Sequence, residues 1–173
     1  MGYLPNLQKG MTLFEVLVVM VIMGLLMGIA MLSFHNMQQR YNVEQQVKQL
    51  YSDVMNSRVR AVQRDRMQFV TFSGPTNTSY SVYEDGPPPD GNGLFSAATD
   101  SLVGTYNLLP TYSAVLSNPS MTLLQFSAQG LLVSPPPGTI TITPSAGGEY
   151  DCIFVDQIKT GMGQWNGTQC IVK

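Results

Sequence analysis

The stretch QKGMTLFEVLVVMVIMGLLMGIAML, residues 8–32, decides the fold. Its single carboxylate, Glu15, heads an apolar run, and from Val16 to Phe34 nineteen residues pass without a charge. As a helix this run would be about 29 Å long, close to the hydrocarbon thickness of a bilayer. An unpaired carboxylate is costly in such surroundings, so Glu15 is a functional residue by default. A secretory signal would be shorter and end at small residues. Here Ser33, Phe34, His35 and Asn36 follow instead.

Working outward, the apolar run flows into a polar segment that keeps a helical rhythm. Val43, Val47, Leu50, Val54 and Ala61 recur at steps of four and three, with Arg58 interrupting. Glu44 and Lys48 form a favourably oriented i,i+4 pair. No proline falls between Met11 and Arg66. The pattern predicts one helix of more than fifty residues, apolar all round in its first half and amphipathic in its second. Gly24 and Gly28 form a G-x-x-x-G, a spacing at which another helix can approach closely. Such packing would offer Glu15 a partner, a neighbouring chain's terminal ammonium if the chain begins near residue 11.

Charge divides the rest of the chain. Between Asn36 and Arg66 six cations (Arg40, Lys48, Arg58, Arg60, Arg64, Arg66) face three acids, whereas beyond Met67 only Lys159 and Lys173 oppose seven acids. The arginine cluster invites a nucleic-acid reading, but the acidic region beyond it dilutes the field. Nucleic acid is therefore not an expected partner.

After Arg66 the period changes. MQFVTF (67–72), YSVYE (80–84), TLLQF (122–126), LLV (131–133), TITIT (139–143), YDCIFV (150–155) and CIV (170–172) are short β-branched or aromatic runs separated by Gly, Pro, Asn or Ser. They predict antiparallel sheet packed against the polar half of the helix, an α+β fold. Residues 85–120 hold few strand signals and read as a long exposed excursion. The segments are then 1–10, ahead of the apolar run; 11–34, a transmembrane helix; 35–66, its amphipathic continuation; and 67–173, a β-rich domain.

Cys152 and Cys170 lie close together near the C-terminus. With an export-like segment at the other end, they suggest a disulfide formed outside the cytoplasm; two buried free thiols are the alternative. The run EDGPPPDGNG sets Asp85, Asp90 and Asn92 among glycines, as calcium loops do, but without EF-hand spacing and with three prolines restricting it. A solvated turn is the plainer reading, and no cofactor is expected unless calcium binds there. The single histidine, His35, sits at the membrane boundary, where no catalytic or metal cluster can be assembled around it. An enzyme is not expected.

Lys9-Gly10-Met11-Thr12-Leu13-Phe14-Glu15 resembles the class III signal of type IV pilins and type II secretion pseudopilins. The resemblance implies that residues 1–10 are a leader cleaved between Gly10 and Met11 by a prepilin peptidase, that Met11 is N-methylated, that 11–34 is the assembly helix, and that Glu15 pairs with a neighbouring subunit's amine during assembly. It implies other pilins and an inner-membrane assembly platform as partners. It also implies a bacterial inner-membrane location with the C-terminal domain periplasmic, and later a place in a filament. Met11 stands where phenylalanine is usual, and Leu32 where many major pilins carry proline, which argues against a major subunit. FSAQGLLVSPPPGTITIT (126–143) is similar to a segment of the H-type minor pseudopilins and related minor pilins, the GspH/FimT-like group. The expected function is a structural subunit of a type IV pilus or secretion pseudopilus. The alternative is a membrane-anchored periplasmic module binding calcium, sugar or DNA.

Overall fold

The computed structural model describes residues 11–73, 77–86, 91–145 and 147–173. The leader, with Gly10, and the loop residue Asp90 lie outside the described residues. One helix, α1 (Leu13–Arg64), spans 52 residues. The chain divides into two compact units, up to Gln38 and from Gln39 to Lys173.

In the first unit every described side chain of α1 is exposed, including Phe14, Leu17, Met20 and Ile29. Hydrophobic residues surround the helix on all sides, so no face is distinguished for a core. The segment is long and apolar enough to cross a membrane.

The second unit begins on the same helix, where one face becomes apolar and the other charged. Val43, Val47, Leu50, Val54 and Ala61 are fully buried. Two antiparallel sheets complete the core. The first has the order β3 (Ser101–Asn107), β2 (Ser79–Glu84), β1 (Gln68–Ser73), β5 (Leu123–Phe126), β6 (Leu132–Ser134). The second runs β10 (Cys170–Val172), β9 (Thr160–Trp165), β8 (Cys152–Val155), β7 (Gly138–Thr143), β4 (Ser113–Leu116). Alternation places Val70, Phe72, Tyr80, Val82, Leu124 and Phe126 in the core from the first sheet, and Ile140, Ile142, Ile153 and Val155 from the second.

The expected excursion over residues 85–120 is not one. β3 pairs with β2 and β4 with β7, so this stretch supplies an edge strand to each sheet. Between them and β2, Phe95 folds onto the sheet face away from the core, its ring 5.5 Å from Phe69 and 5.1 Å from Tyr83. The strand signal of β3 is weak because Gly104 and polar residues interrupt it. Its pairing is held from β2, by the Ser81–Thr105 hydroxyl pair at 2.9 Å and by Tyr106 stacked on Tyr80 at 5.2 Å.

Cys152 and Cys170 form the disulfide, with Cα atoms 5.9 Å apart. They belong to β8 and β10, which flank β9. Strands on either side of a flat neighbour would stand about 9.5 Å apart. The sheet therefore curls here, and β9 permits it by carrying Gly161 and Gly163. A Cβ on Gly163 would land on the carbonyl of Ile171, and one on Gly161 would meet Val172 Cγ1 at 2.7 Å. Gly163→Ala is expected to push β10 away and hinder closure of the disulfide. The cost is about 3 kcal/mol, the chain-entropy value of a loop this size. Free thiols after alkylation would show it; unchanged disulfide yield and unchanged melting would contradict the packing.

Candidate functional site

At its start α1 is capped by Thr12. The Glu15 amide donates to Thr12 Oγ1 at 3.3 Å and to the Thr12 carbonyl at 3.1 Å, so Thr12 and Glu15 stand at the two ends of a T-x-x-E capping pattern. That places the Glu15 carboxylate in the first helical turn, where the positive end of the helix dipole favours it. It is exposed and forms no ion pair among the described residues. Met11 is exposed beside it, and a Cβ on Gly24 or Gly28 would meet nothing within 4 Å. The whole segment presents apolar surface with one acid at its head.

The arginine cluster is turned largely toward the β domain. Arg58 is 9 % exposed and donates four hydrogen bonds into the β domain. Nε reaches the Gly130 carbonyl at 2.9 Å, Nη1 the Thr160 hydroxyl at 3.0 Å, and Nη2 the carbonyls of Gln157 and Ile158 at 3.1 and 2.9 Å. The guanidinium also lies 5.6 Å from the centre of the Phe126 ring. Burial pushes its pKa down, with Tyr51 and Asp156 opposing. Gly130 lies in a left-handed turn at φ +74°, strained for any other residue, and a Cβ there would press on Val62 Cγ2 at 3.0 Å. The helix thus bolts to a turn of each sheet, between β5 and β6 and between β8 and β9.

Arg60 and Arg64 converge on Glu84, at 2.9 and 3.4 Å. Burial by itself would raise the Glu84 carboxyl. Hydrogen bonds from Arg60 and Gln68, with the charges of Arg64 and Arg60, outweigh it and hold the group below its ordinary 4.5. A carboxyl depressed on folding stabilises the fold above its unfolded pKa and loses that contribution as pH falls through the folded one. Stability is therefore expected to fall on acidification below about pH 4.5. Glu84→Gln should flatten that dependence; an identical pH profile in urea melts would exclude the ion-pair cluster as its source.

Other carboxylates also serve the fold. Asp53 accepts from Tyr80 Oη at 2.5 Å and from Gln49 Nε2 at 3.2 and 3.0 Å. Burial, the bond to Asp53 and its charge push the Tyr80 hydroxyl far up. Asp151, 1 % exposed, accepts from the Trp165 amide and the Ser145 hydroxyl, tying β9 to the β7–β8 connection. Glu44, besides pairing with Lys48, accepts from the Glu149 amide at 2.8 Å. None of these long-range partners was visible from spacing along the chain. The residues proposed for calcium are engaged locally: Asp85 Oδ2 accepts from the Gly93 amide at 3.1 Å and Asn92 Oδ1 from Leu94 at 2.7 Å. Among the described residues no three His, Cys, Asp or Glu gather as a metal cluster.

Comparison with known proteins fits this anatomy. A model of the prokaryotic N-terminal methylation motif matches residues 5–31. The fold is similar to that of the type IV minor pilin FimU of Pseudomonas aeruginosa (TM-score 0.56, 16 % identity, 73 % of this chain and 91 % of that one). A second crystal form of FimU gives 0.51 with 16 % identity, over 68 % of this chain and 89 % of that one. The minor pseudopilin EpsH from the type 2 secretion system of Vibrio cholerae gives 0.49 with 9 % identity, over 70 % and 95 %. No curated protein matches the sequence. The chain combines a methylation motif at the head of a long helix with a β domain, a pilin-like fold. More particularly, that fold is similar to the one of the minor pilin FimU.

Proposed function

We propose that the chain is a minor pilin or pseudopilin of the H type, a structural subunit of a type IV pilus or a type II secretion pseudopilus. The observation that carries this reading is the methylation motif placed on a capped apolar helix with Glu15 in its first turn. A prepilin peptidase cleaves after Gly10 and methylates Met11. The apolar half of α1 resides in the inner membrane with the β domain on the periplasmic side. An assembly platform then transfers it into a bundle of like helices. Its apolar surface stays covered in both places, so the transfer costs little hydrophobic free energy. Gly24 and Gly28 admit a neighbouring helix, and Glu15 meets a neighbour's terminal ammonium, which offsets the cost of burying its charge.

Mass spectrometry of the N-terminal peptide from native membranes tests the reading. The expected chain begins at N-methylated Met11. A chain beginning at Met1, or cut beyond Ala30, would overturn it and put a membrane-anchored binding module in its place.

A further inference from the structure

The connection between β2 and β3 contains an Asn-Gly pair, Asn92-Gly93, and the turn between β9 and β10 contains another, Asn166-Gly167. In such a pair the main-chain nitrogen of the glycine can attack the side-chain amide before it, because no Cβ crowds that nitrogen. The two pairs sit in different surroundings.

At the first, the Gly93 amide donates to Asp85 Oδ2 at 3.1 Å, and Asn92 Oδ1 accepts from the Leu94 amide at 2.7 Å. Asp85 is 6 % exposed, just past the end of β2, whereas Asn92 is open to water. A carboxylate therefore faces the proton of the attacking nitrogen, within the reach a general base needs. An N–H at the same time faces the oxygen on which negative charge develops. At the second pair, Asn166 Oδ1 accepts from the amides of Thr168 and Gln169 at 2.9 and 2.8 Å, but the Gly167 amide has no acceptor among the described residues. The donors to oxygen are present there; the base is not.

We propose that Asn92 is a self-modifying site, converted to aspartate and isoaspartate by its own loop without an enzyme. Gly93 N attacks Asn92 Cγ as Asp85 accepts the amide proton. The Cγ–Nδ2 bond breaks, Nδ2 takes up that proton and leaves as ammonia, and a succinimide ring remains. Water then opens the ring at Cγ, giving aspartate, or at the main-chain carbonyl, giving isoaspartate. Water is the one co-reactant, and nothing is oxidised or reduced. Asn92 lines a cleft of 510 Å³ together with Asp65, Arg66 and Asp85, so each conversion adds a carboxylate to the two already there. The isoaspartate product also lengthens the main chain through Cβ. The loop thus gains negative charge as the molecule ages, in one direction only.

The full chain in detergent micelles is incubated at neutral pH beside the peptide acetyl-Gly-Asn-Gly-Leu-Phe-amide, which repeats residues 91–95 without Asp85. Mass spectrometry of timed digests follows positions 92 and 166 separately. Asn92 is expected to convert at least about tenfold faster in the chain than in the peptide, and Asn166 no faster than the peptide. Asp85→Asn should bring position 92 down to the peptide's rate and leave position 166 unchanged. That variant touches the loop, so the unmodified chain decides the matter by itself. A bond from Gly93 that only holds the loop restrains the amide, so conversion of Asn92 at or below the peptide's rate would overturn the proposal. Equal acceleration at both positions would overturn the part given to Asp85.

Discussion

Replacing Arg58 by methionine is expected to lower stability by about 4 kcal/mol, and the melting temperature by roughly 10 °C. Methionine conserves much of the volume, so the loss is not chiefly a cavity. It comes from the acceptors: the carbonyls of Gly130, Gln157 and Ile158 and the Thr160 hydroxyl all receive from one guanidinium. An unsatisfied buried acceptor costs about 1–3 kcal/mol, and partial hydration reduces the sum. Arg58→Lys should rescue little, because an ammonium at one point cannot span acceptors presented by two separate turns. Thermal unfolding of the full chain in detergent measures both variants. Melting within a couple of degrees of the parent would mean that water replaces the guanidinium at little cost.

Glu15→Ala is expected to leave the β domain folded, with its disulfide formed, and to lower incorporation into filaments at least about tenfold. The side chain lies outside the second unit and contributes nothing to its core. The reason for the loss is the charge left behind. In the proposed assembly a neighbour's ammonium, buried among apolar helices without its carboxylate, would bear the desolvation cost alone. Glu15→Gln separates charge from shape and should fail nearly as badly. Quantifying the variant in purified filaments beside its level in membranes gives the ratio. Parent-like incorporation would remove Glu15 from the assembly contact.

How much of this was legible in advance depended on how local each signal was. The long helix was, since a charge-free run, an unbroken register and a stripe from Val43 to Ala61 are all read along the chain. So were seven strands whose own β-branched and aromatic residues declare them. β3, β4 and β9 were not. β3 owes its place to partners on β2 more than 20 positions away. β9, TGMGQW, is disguised by the glycines that let β10 close over it. The partners of the arginines were hidden for a related reason. Four cations close in sequence look like a surface field until a fold supplies the carbonyls for Arg58 and the carboxylate for Arg60 and Arg64. The N-terminal motif was readable because its chemistry, an acid at the head of an apolar helix, needs no tertiary context.

The polar attachments of α1 to the β domain also have a mechanical meaning. Glu44, Asp53 and Arg58 grip the loop at Glu149, the Tyr80 hydroxyl and two turns, at points spread over about 20 Å of helix. A tug along the helix axis therefore loads these bonds together, in shear, instead of peeling them away one after another. Whatever pulls such a chain by its apolar end moves the β domain as cargo, with the strain shared among anchors set along the rod.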